Sequence, residues 1–190
     1  KNSVFETDLF EPIVRRIKDL SLDYSSEKEK SVRIIADHLR AATFVLAELV
    51  EPSNIDRGYI VRRLIRRAIR HGRNLGIEGN FTAKIAKEVI NKMSPIYDDL
   101  KTNEKFIYQE LNKEEDKFKK TLENGLKRLN HIVSTNLGSM ISGKDAFDLF
   151  QTYGFPLEIT QELALENNLT VDIVEFNEEF KRHQQLSRIG

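Results

Sequence analysis

Several residue types and patterns are absent from this chain of 190 residues. It contains no cysteine, which excludes disulfides and thiolate-bound metals and suits a reducing compartment. Its 30 basic and 30 acidic side chains cancel in formal charge, so no global field attracts nucleic acid or a membrane surface. No apolar run approaches the roughly 20 residues that a bilayer-spanning helix needs. Any electrostatic function must therefore come from local segregation of charge.

Charge is segregated most strongly in residues 54–73, NIDRGYIVRRLIRRAIRHGR. At about 100° per residue, a helix here places arginines on one side and aliphatic residues on the other. The pattern predicts exposed Arg62, Arg66 and Arg70, with Arg73 on the same arginine face, and buried Ile60, Leu64, Ile65 and Ala68.

No acidic residue lies between Arg57 and Gly76, so the arginine face has no local counter-charge. The partner charges can come from acidic residues elsewhere in the chain or from the phosphates of a nucleic acid. Composition alone does not separate these two sources. Tyr59 on the same side adds a stacking or hydroxyl contact that favours nucleic acid. Asn54, just before the helix, is suited either to cap the helix or to contact a base edge.

Nearly every periodic segment of the chain has helical spacing, which predicts an all-α fold. We expect an irregular bundle of two helical lobes, residues 1–97 and 98–190, with a long helical hairpin or seam in the second lobe. The seam is predicted over residues 98–134, and TYGFP at 152–156 is predicted to be a turn. No sheet is expected.

The sequence offers no defensible catalytic or metal site. The four histidines are scattered and lack metal-binding spacing. Asp37 and His38 are adjacent, and neighbouring helical positions point about 100° apart, so they do not form a natural dyad. Glu114 and Glu115 are expected to be solvated charges on a polar helix. We therefore predict no catalytic residue and no metal ligand in this chain.

Three ordered motifs carry a family resemblance: RIIADHLRAATFVLAE, then PSNIDRGYIVRRLIRRAIRHG, and later FDLFQTYGFPLEIT. Together they closely resemble the alanyl-tRNA synthetases of class II, over essentially the whole chain. The resemblance implies the helical tRNA-recognition region that lies between the aminoacylation core and the editing domain. Because the chain also lacks an initial methionine, we expect it to be a piece of a longer protein.

The resemblance further implies that this region binds the acceptor stem of tRNA(Ala) and reads its G3·U70 wobble pair. Asn54 takes the place of the family's base-reading asparagine. Gln151 stands where the family has an aspartate, so this position keeps its hydrogen-bonding capacity and loses a negative charge. Amide oxygens of these two residues, one from each lobe, can accept from the unpaired guanine amino group in the minor groove. Backbone contacts would come from Arg57, Tyr59, Arg62, Arg63, Arg66, Arg67, Arg70 and Arg73.

For the full-length enzyme, the resemblance implies a cytoplasmic alanine–tRNA ligase that uses ATP and Mg²⁺ and also holds Zn²⁺. No cofactor is expected in this chain, which alone is predicted to be non-catalytic. Its partners would be tRNA(Ala) and the catalytic and editing domains of the same polypeptide, with no membrane involved. The alternative function is a helical protein-interaction scaffold whose arginine face docks an acidic partner.

Overall fold

The computed structural model describes the backbone of residues 3–189 and the side chains of residues 3–186. The outermost limits of the predicted lobes, residues 1 and 190, lie outside this part. The predicted all-α fold is confirmed. The helices are α1 (Glu11–Leu20), α2 (Glu29–Ala47), α3 (Asp56–Asn74), α4 (Thr82–Met93), α5 (Asp98–Thr102), α6 (Glu104–Thr135), α7 (Gly143–Tyr153), α8 (Leu157–Glu166) and α9 (Ile173–Ile189).

The chain forms two compact units, the first extending to Lys117 and the second beginning at Phe118. The division therefore falls inside α6, later than the sequence-based position near residue 97. The first half of α6 is built into the first unit, where Ile107 and Leu111 are fully buried. Periodicity places these residues on the seam of a helix but does not say which neighbouring helices that seam meets.

The core of the first unit is built mainly by α2 and α3, which pack against each other more extensively than any other pair of helices. The apolar residues of α2 recur at helical spacing, and Ile35, Leu39 and Leu46 are fully buried. From α3, Val61 and Ile65 are fully buried as well. Each such side chain stabilises the fold by about 1.5–3 kcal/mol relative to exposure. This core fixes α3 as a rigid support for the residues before it.

Long-range polar contacts attach the α5–α6 segment to the rest of the first unit. The sequence suggests one long helix here, but the helix is interrupted at Asn103, whose side-chain amide donates to the Ala47 carbonyl (2.8 Å). Farther along, the Glu115 carboxylate accepts from the backbone N–H of Phe81 (3.1 and 3.2 Å) and of Thr82 (2.9 Å). Glu115 thus caps the N-terminus of α4, where Phe81 provides no side-chain cap.

The second unit contains the remainder of α6 with α7, α8 and α9. Four phenylalanine rings, which lie 5.4 to 6.2 Å from their neighbours, pack α7 against α9: Phe147, Phe150, Phe176 and Phe180. A pair of two-residue strands, β1 (Met140–Ile141) and β2 (Thr170–Val171), runs parallel. Segments this short carry too few residues for an alternation pattern to be recognised in the sequence.

Candidate nucleic-acid interface

The turn between α2 and α3 places Asn54 at the start of the arginine-rich helix. Two non-glycine residues in it have left-handed backbone conformations, Leu49 (φ 62°) and Asp56 (φ 49°). Such conformations cost on the order of 1–3 kcal/mol each and persist only where surrounding contacts impose them. Here Ser53 supplies such contacts, since its hydroxyl accepts from the Ile55 N–H (3.3 Å) and donates to the Ile55 carbonyl (3.0 Å).

Gly58 allows this turn to pack directly on the first residues of α3. A Cβ at Gly58 would lie 2.2 Å from the Ser53 hydroxyl oxygen and 2.6 Å from the Glu51 carbonyl oxygen. The Ser53 N–H also donates to the Gly58 carbonyl (3.0 Å). Any larger residue at 58 would push the turn away, so this glycine is required by a close backbone approach.

Asn54 is exposed, and its amide has a defined orientation. Its Oδ1 accepts a hydrogen bond from Nη1 of Arg62. Because a guanidinium has donors and no acceptor, the amide oxygen must be the atom that faces Arg62. Asn54 is not the helix cap, since Ile55 occupies that position and makes no side-chain cap bond.

Arg62 is held by three groups of the protein and is only 12% exposed. Besides Asn54, its Nη2 donates to the Pro52 carbonyl (3.1 Å). Its Nε lies 3.4 Å from Oε1 of Glu114, as an ion pair. The predicted exposure of Arg62 is therefore wrong, and its guanidinium is occupied by contacts within the first unit.

The predicted exposure of Arg66 and Arg70 is also wrong, because they are only 6% and 3% exposed. Both Nε and Nη2 of Arg66 lie 2.5 Å from Oε1 of Glu114. Burial lowers the pKa of the Arg66 guanidinium, and the charge of Glu114 opposes that effect. The helical wheel correctly separates these arginines from the apolar stripe, but it assigns Arg66 to solvent, whereas α6 supplies Glu114 to cover it.

The apolar face of α3 also differs in part from the prediction. Ile65 and Ala68 are fully buried as expected, whereas Ile60 is 46% exposed and Leu64 is half-buried. The buried stripe is centred on Val61, Ile65 and Ala68, and the other two positions lie at its edge. Ile60 and Leu64 therefore do not belong to the buried core.

Besides Arg62, four arginines of α3 keep some accessible surface, and we refer to these four as the outer arginines: Arg57, Arg63, Arg67 and Arg73. Arg57 pairs with Glu48, and both side chains are well exposed. Such a surface pair contributes little to stability and can exchange partners. Tyr59, predicted on the same side, is half-buried.

Arg67 contacts His38, with Nη1 2.9 Å from the imidazole Nε2. Since Arg67 can only donate, Nε2 must accept, so the imidazole is neutral and its Nδ1–H faces Asp37 Oδ2 (3.0 Å). Burial lowers the pKa of His38, and the positive charge of Arg67 lowers it further. Adjacent Asp37 and His38 thus do meet, contrary to the expectation from helical geometry, because the carboxylate can bend back along the helix surface.

Gln151 is exposed in the last turn of α7, in the second unit. The turn predicted at residues 152–156 is found only in part, because Thr152 and Tyr153 still belong to α7. Gly154 has φ 71° and ends the helix in the left-handed conformation. Within this unit, Thr121 of α6 donates to the Tyr153 carbonyl (2.7 Å), and Phe155 is fully buried. The structure brings Asn54 together with Arg62, whereas Asn54 and Gln151 belong to different compact units.

The family model for tRNA synthetases of class II (A) matches residues 1–189. The chain belongs to this family. An alanine–tRNA ligase of Trichodesmium erythraeum (strain IMS101) is 47% identical to this synthetase chain over 187 residues, which are 95% of the chain and 21% of that protein. The corresponding enzyme of Thermotoga petrophila is 45% identical over 191 residues, 99% of the chain and 22% of that protein. The synthetase chain thus spans about a fifth of the length of these curated relatives.

Sequence reasoning missed two features of the synthetase chain that shape the site. Glu114 and Glu115 are buried rather than solvated. A signal was present, because Glu114 lies three residues after Leu111 and four before Phe118, which places it on the apolar seam of α6. The second missed feature is the close packing of the turn on the start of α3. Gly58 was its signal, because a glycine inside a helix destabilises the helix and is expected there only where another part of the chain approaches closely.

The described part of the chain contains neither a candidate membrane-spanning helix nor a group of side chains that could bind a metal ion. Among residues 3–189, no helix combines the length and the apolar character that a bilayer crossing requires. Among residues 3–186, whose side chains are described, no three His, Asp or Glu side chains form a group that could hold a metal ion.

Proposed function

We propose that this chain is the tRNA-binding region of an alanine–tRNA ligase and that it binds the acceptor stem of tRNA(Ala). The full-length protein would attach alanine to tRNA(Ala), using ATP and Mg²⁺ at a catalytic domain outside these residues. That domain, an editing domain and a Zn²⁺ site would belong to the rest of the polypeptide. The family membership and the alanine–tRNA ligases that match nearly the whole chain support this proposal.

The observation that carries the proposal is the exposed Asn54 side chain, held in one orientation at the start of α3. The minor groove of an RNA helix is wide and shallow, so a side chain can reach the base edges there. A G·U pair leaves the guanine amino group without a base partner, which distinguishes it from G·C. Asn54 would contact this pair at position 3·70, and we keep Gln151 as a second base-reading candidate from the resemblance alone.

The arginines of α3 divide into two groups in this proposal. Arg62, Arg66 and Arg70 have little accessible surface, and the contacts of Arg62 and Arg66 would hold the turn and α6 in place. The outer arginines, with Tyr59, would contact the phosphates and fix the register of the stem without reading sequence.

Binding of two acceptor-stem RNAs, identical except for G·U or G·C at position 3·70, tests the base-reading part. Asn54→Ala should reduce the preference for the G·U stem by about 1–3 kcal/mol, because one good base contact contributes this much discrimination. The salt dependence of binding should not change, since no phosphate contact is lost. Asn91→Ala on α4 is the matched control, because Asn91 is an exposed asparagine of the same unit.

The phosphate-binding part is tested by substituting an outer arginine. Arg73→Ala should weaken both stems nearly equally and reduce the slope of log affinity against log salt by about 0.7–0.9. Arg15→Ala on α1 removes the same charge from another exposed position and should change neither quantity. If no outer-arginine variant weakens RNA binding, the proposal fails and docking of an acidic protein becomes the better account of these arginines.

A further inference from the structure

We infer that Arg62 is a positioning residue that fixes the amide of Asn54 with its N–H donors, rather than its carbonyl oxygen, toward the RNA. The inference rests on the proposed function, since it concerns how Asn54 contacts the base pair. It assigns Arg62 a part in specificity that differs from a phosphate contact. It also predicts that Asn54 recognises an acceptor atom of the RNA, which differs from the expectation that its amide oxygen accepts from the guanine amino group.

The contacts of Arg62 hold its guanidinium in a single orientation. Asn54 Oδ1 and the Pro52 carbonyl accept from its two terminal nitrogens, and Glu114 faces its Nε. These partners lie on the turn before α3 and on α6, so the guanidinium joins two segments that are far apart in sequence. A planar fork with three fixed partners cannot rotate without breaking at least one of them.

This fixed guanidinium determines which end of the Asn54 amide faces outward. The oxygen is directed to Arg62, so the nitrogen with its two N–H donors lies at the other end of the planar amide. In the described part of the chain, that nitrogen makes no hydrogen bond. Its natural partners in an RNA minor groove are acceptors: guanine N3, pyrimidine O2 or a ribose 2′-hydroxyl.

Such a donor can distinguish G·U from G·C by position. In the wobble pair, uracil is displaced relative to the cytosine of a G·C pair, and its O2 moves with it. A donor on a freely rotating side chain would follow that movement, whereas a donor held in place by Arg62 would not. The rigidity that Arg62 provides is therefore the source of the discrimination that Asn54 contributes.

A double-mutant comparison tests the positioning role. We expect Arg62→Ala to lower the G·U over G·C preference by a factor in the range expected for Asn54→Ala, about 5- to 150-fold. The double variant should lose no more preference than Asn54→Ala alone, because Arg62 acts through Asn54. Arg62→Lys should also lose preference, since one ammonium keeps the charge opposite Glu114 but cannot bridge all three partners. Melting curves identify any variant that fails to fold, and the lysine variant retains the buried charge.

The donor orientation has two tests of its own. Asn54→Asp keeps an oxygen for Arg62 and removes the N–H donors, so it should lose preference as fully as Asn54→Ala. Replacing guanosine 3 by inosine removes the 2-amino group without altering the protein. If Asn54 donates, Asn54→Ala should weaken binding of the inosine·U stem by the same factor as the G·U stem.

The outcomes separate this inference from the proposed function. If Arg62→Ala weakens the binding of both stems equally and reduces the slope of log affinity against log salt, Arg62 acts as a phosphate contact and the positioning role is wrong. Full preference in Asn54→Asp, or no effect of Asn54→Ala on the inosine·U stem, would overturn the donor orientation. If instead Asn54→Ala leaves the preference unchanged in the G·U and G·C stems, the base-reading function itself fails.

Discussion

Replacing Glu114 by glutamine would leave the guanidinium groups of Arg62 and Arg66 facing a neutral amide inside the first unit. All three side chains are nearly inaccessible, at 12% for Arg62, 7% for Arg66 and 5% for Glu114. Solvent can therefore screen the uncompensated charge only weakly. The variant tests whether Glu114 is the counter-charge that allows two arginines to be buried beside α3.

The expected loss of stability is large for a single substitution. Removing one partner of a buried ion pair typically costs about 3–5 kcal/mol. Glutamine keeps one acceptor for Arg66, so we expect the lower end, about 3 kcal/mol. In a chain of this length, about 1 kcal/mol shifts the melting temperature by roughly 2–4 °C, so Glu114→Gln should lower it by about 6–12 °C.

Thermal unfolding followed by far-UV circular dichroism measures this effect. Asp116→Asn is the matched control, because it makes the same charge change on α6 at an exposed position and should shift the melting temperature by less than about 2 °C. Equal melting temperatures for Glu114→Gln, Asp116→Asn and the unaltered chain would refute the counter-charge role.

Two further perturbations follow from the same region. Gly58→Ala should lower the free energy of unfolding by about 1–3 kcal/mol, because the added methyl meets Ser53 and the backbone behind it; urea unfolding that shows a more stable variant would contradict the close approach. Because burial lowers the pKa of His38, the unfolded chain binds this proton first, so stability should decline as pH falls below about 6.5. His38→Gln should show a smaller decline in melting temperature between about pH 7.5 and 5.5, and an identical decline would count against a depressed pKa.

Local patterns in the sequence predicted most of the helices because their apolar residues recur at helical spacing. Ile35 and Leu39 of α2 recur at helical spacing and are buried. Likewise, Gly154 marked the end of α7, because a left-handed residue at that position favours glycine. These features depend on residues close together in sequence, which is the range over which periodicity and turn preferences act.

Burial of the arginines depends on a helix that lies far from them in sequence. Arg66 and Glu114 are separated by 48 positions in the sequence. No local pattern on α3 indicates that α6 covers Arg66. The same limit applies to Asn54, whose sequence context suggests a cap or a base contact but not the hydrogen bond from Arg62. The position of the acidic Glu114 on the apolar seam of α6 could have indicated that this residue is buried against the arginines of α3.

The capping of α4 by Glu115 has a consequence for synthesis on the ribosome. Glu115 follows Thr82 by 33 positions, and translation at about 5–20 residues per second adds that segment about 2–7 s later. Until then the first N–H groups of α4 lack their carboxylate, and Arg66 lacks Glu114 as well. The nascent first unit therefore cannot reach its native state while only its first four helices have emerged. A recombinant fragment ending near residue 97 would be caught permanently at that immature stage.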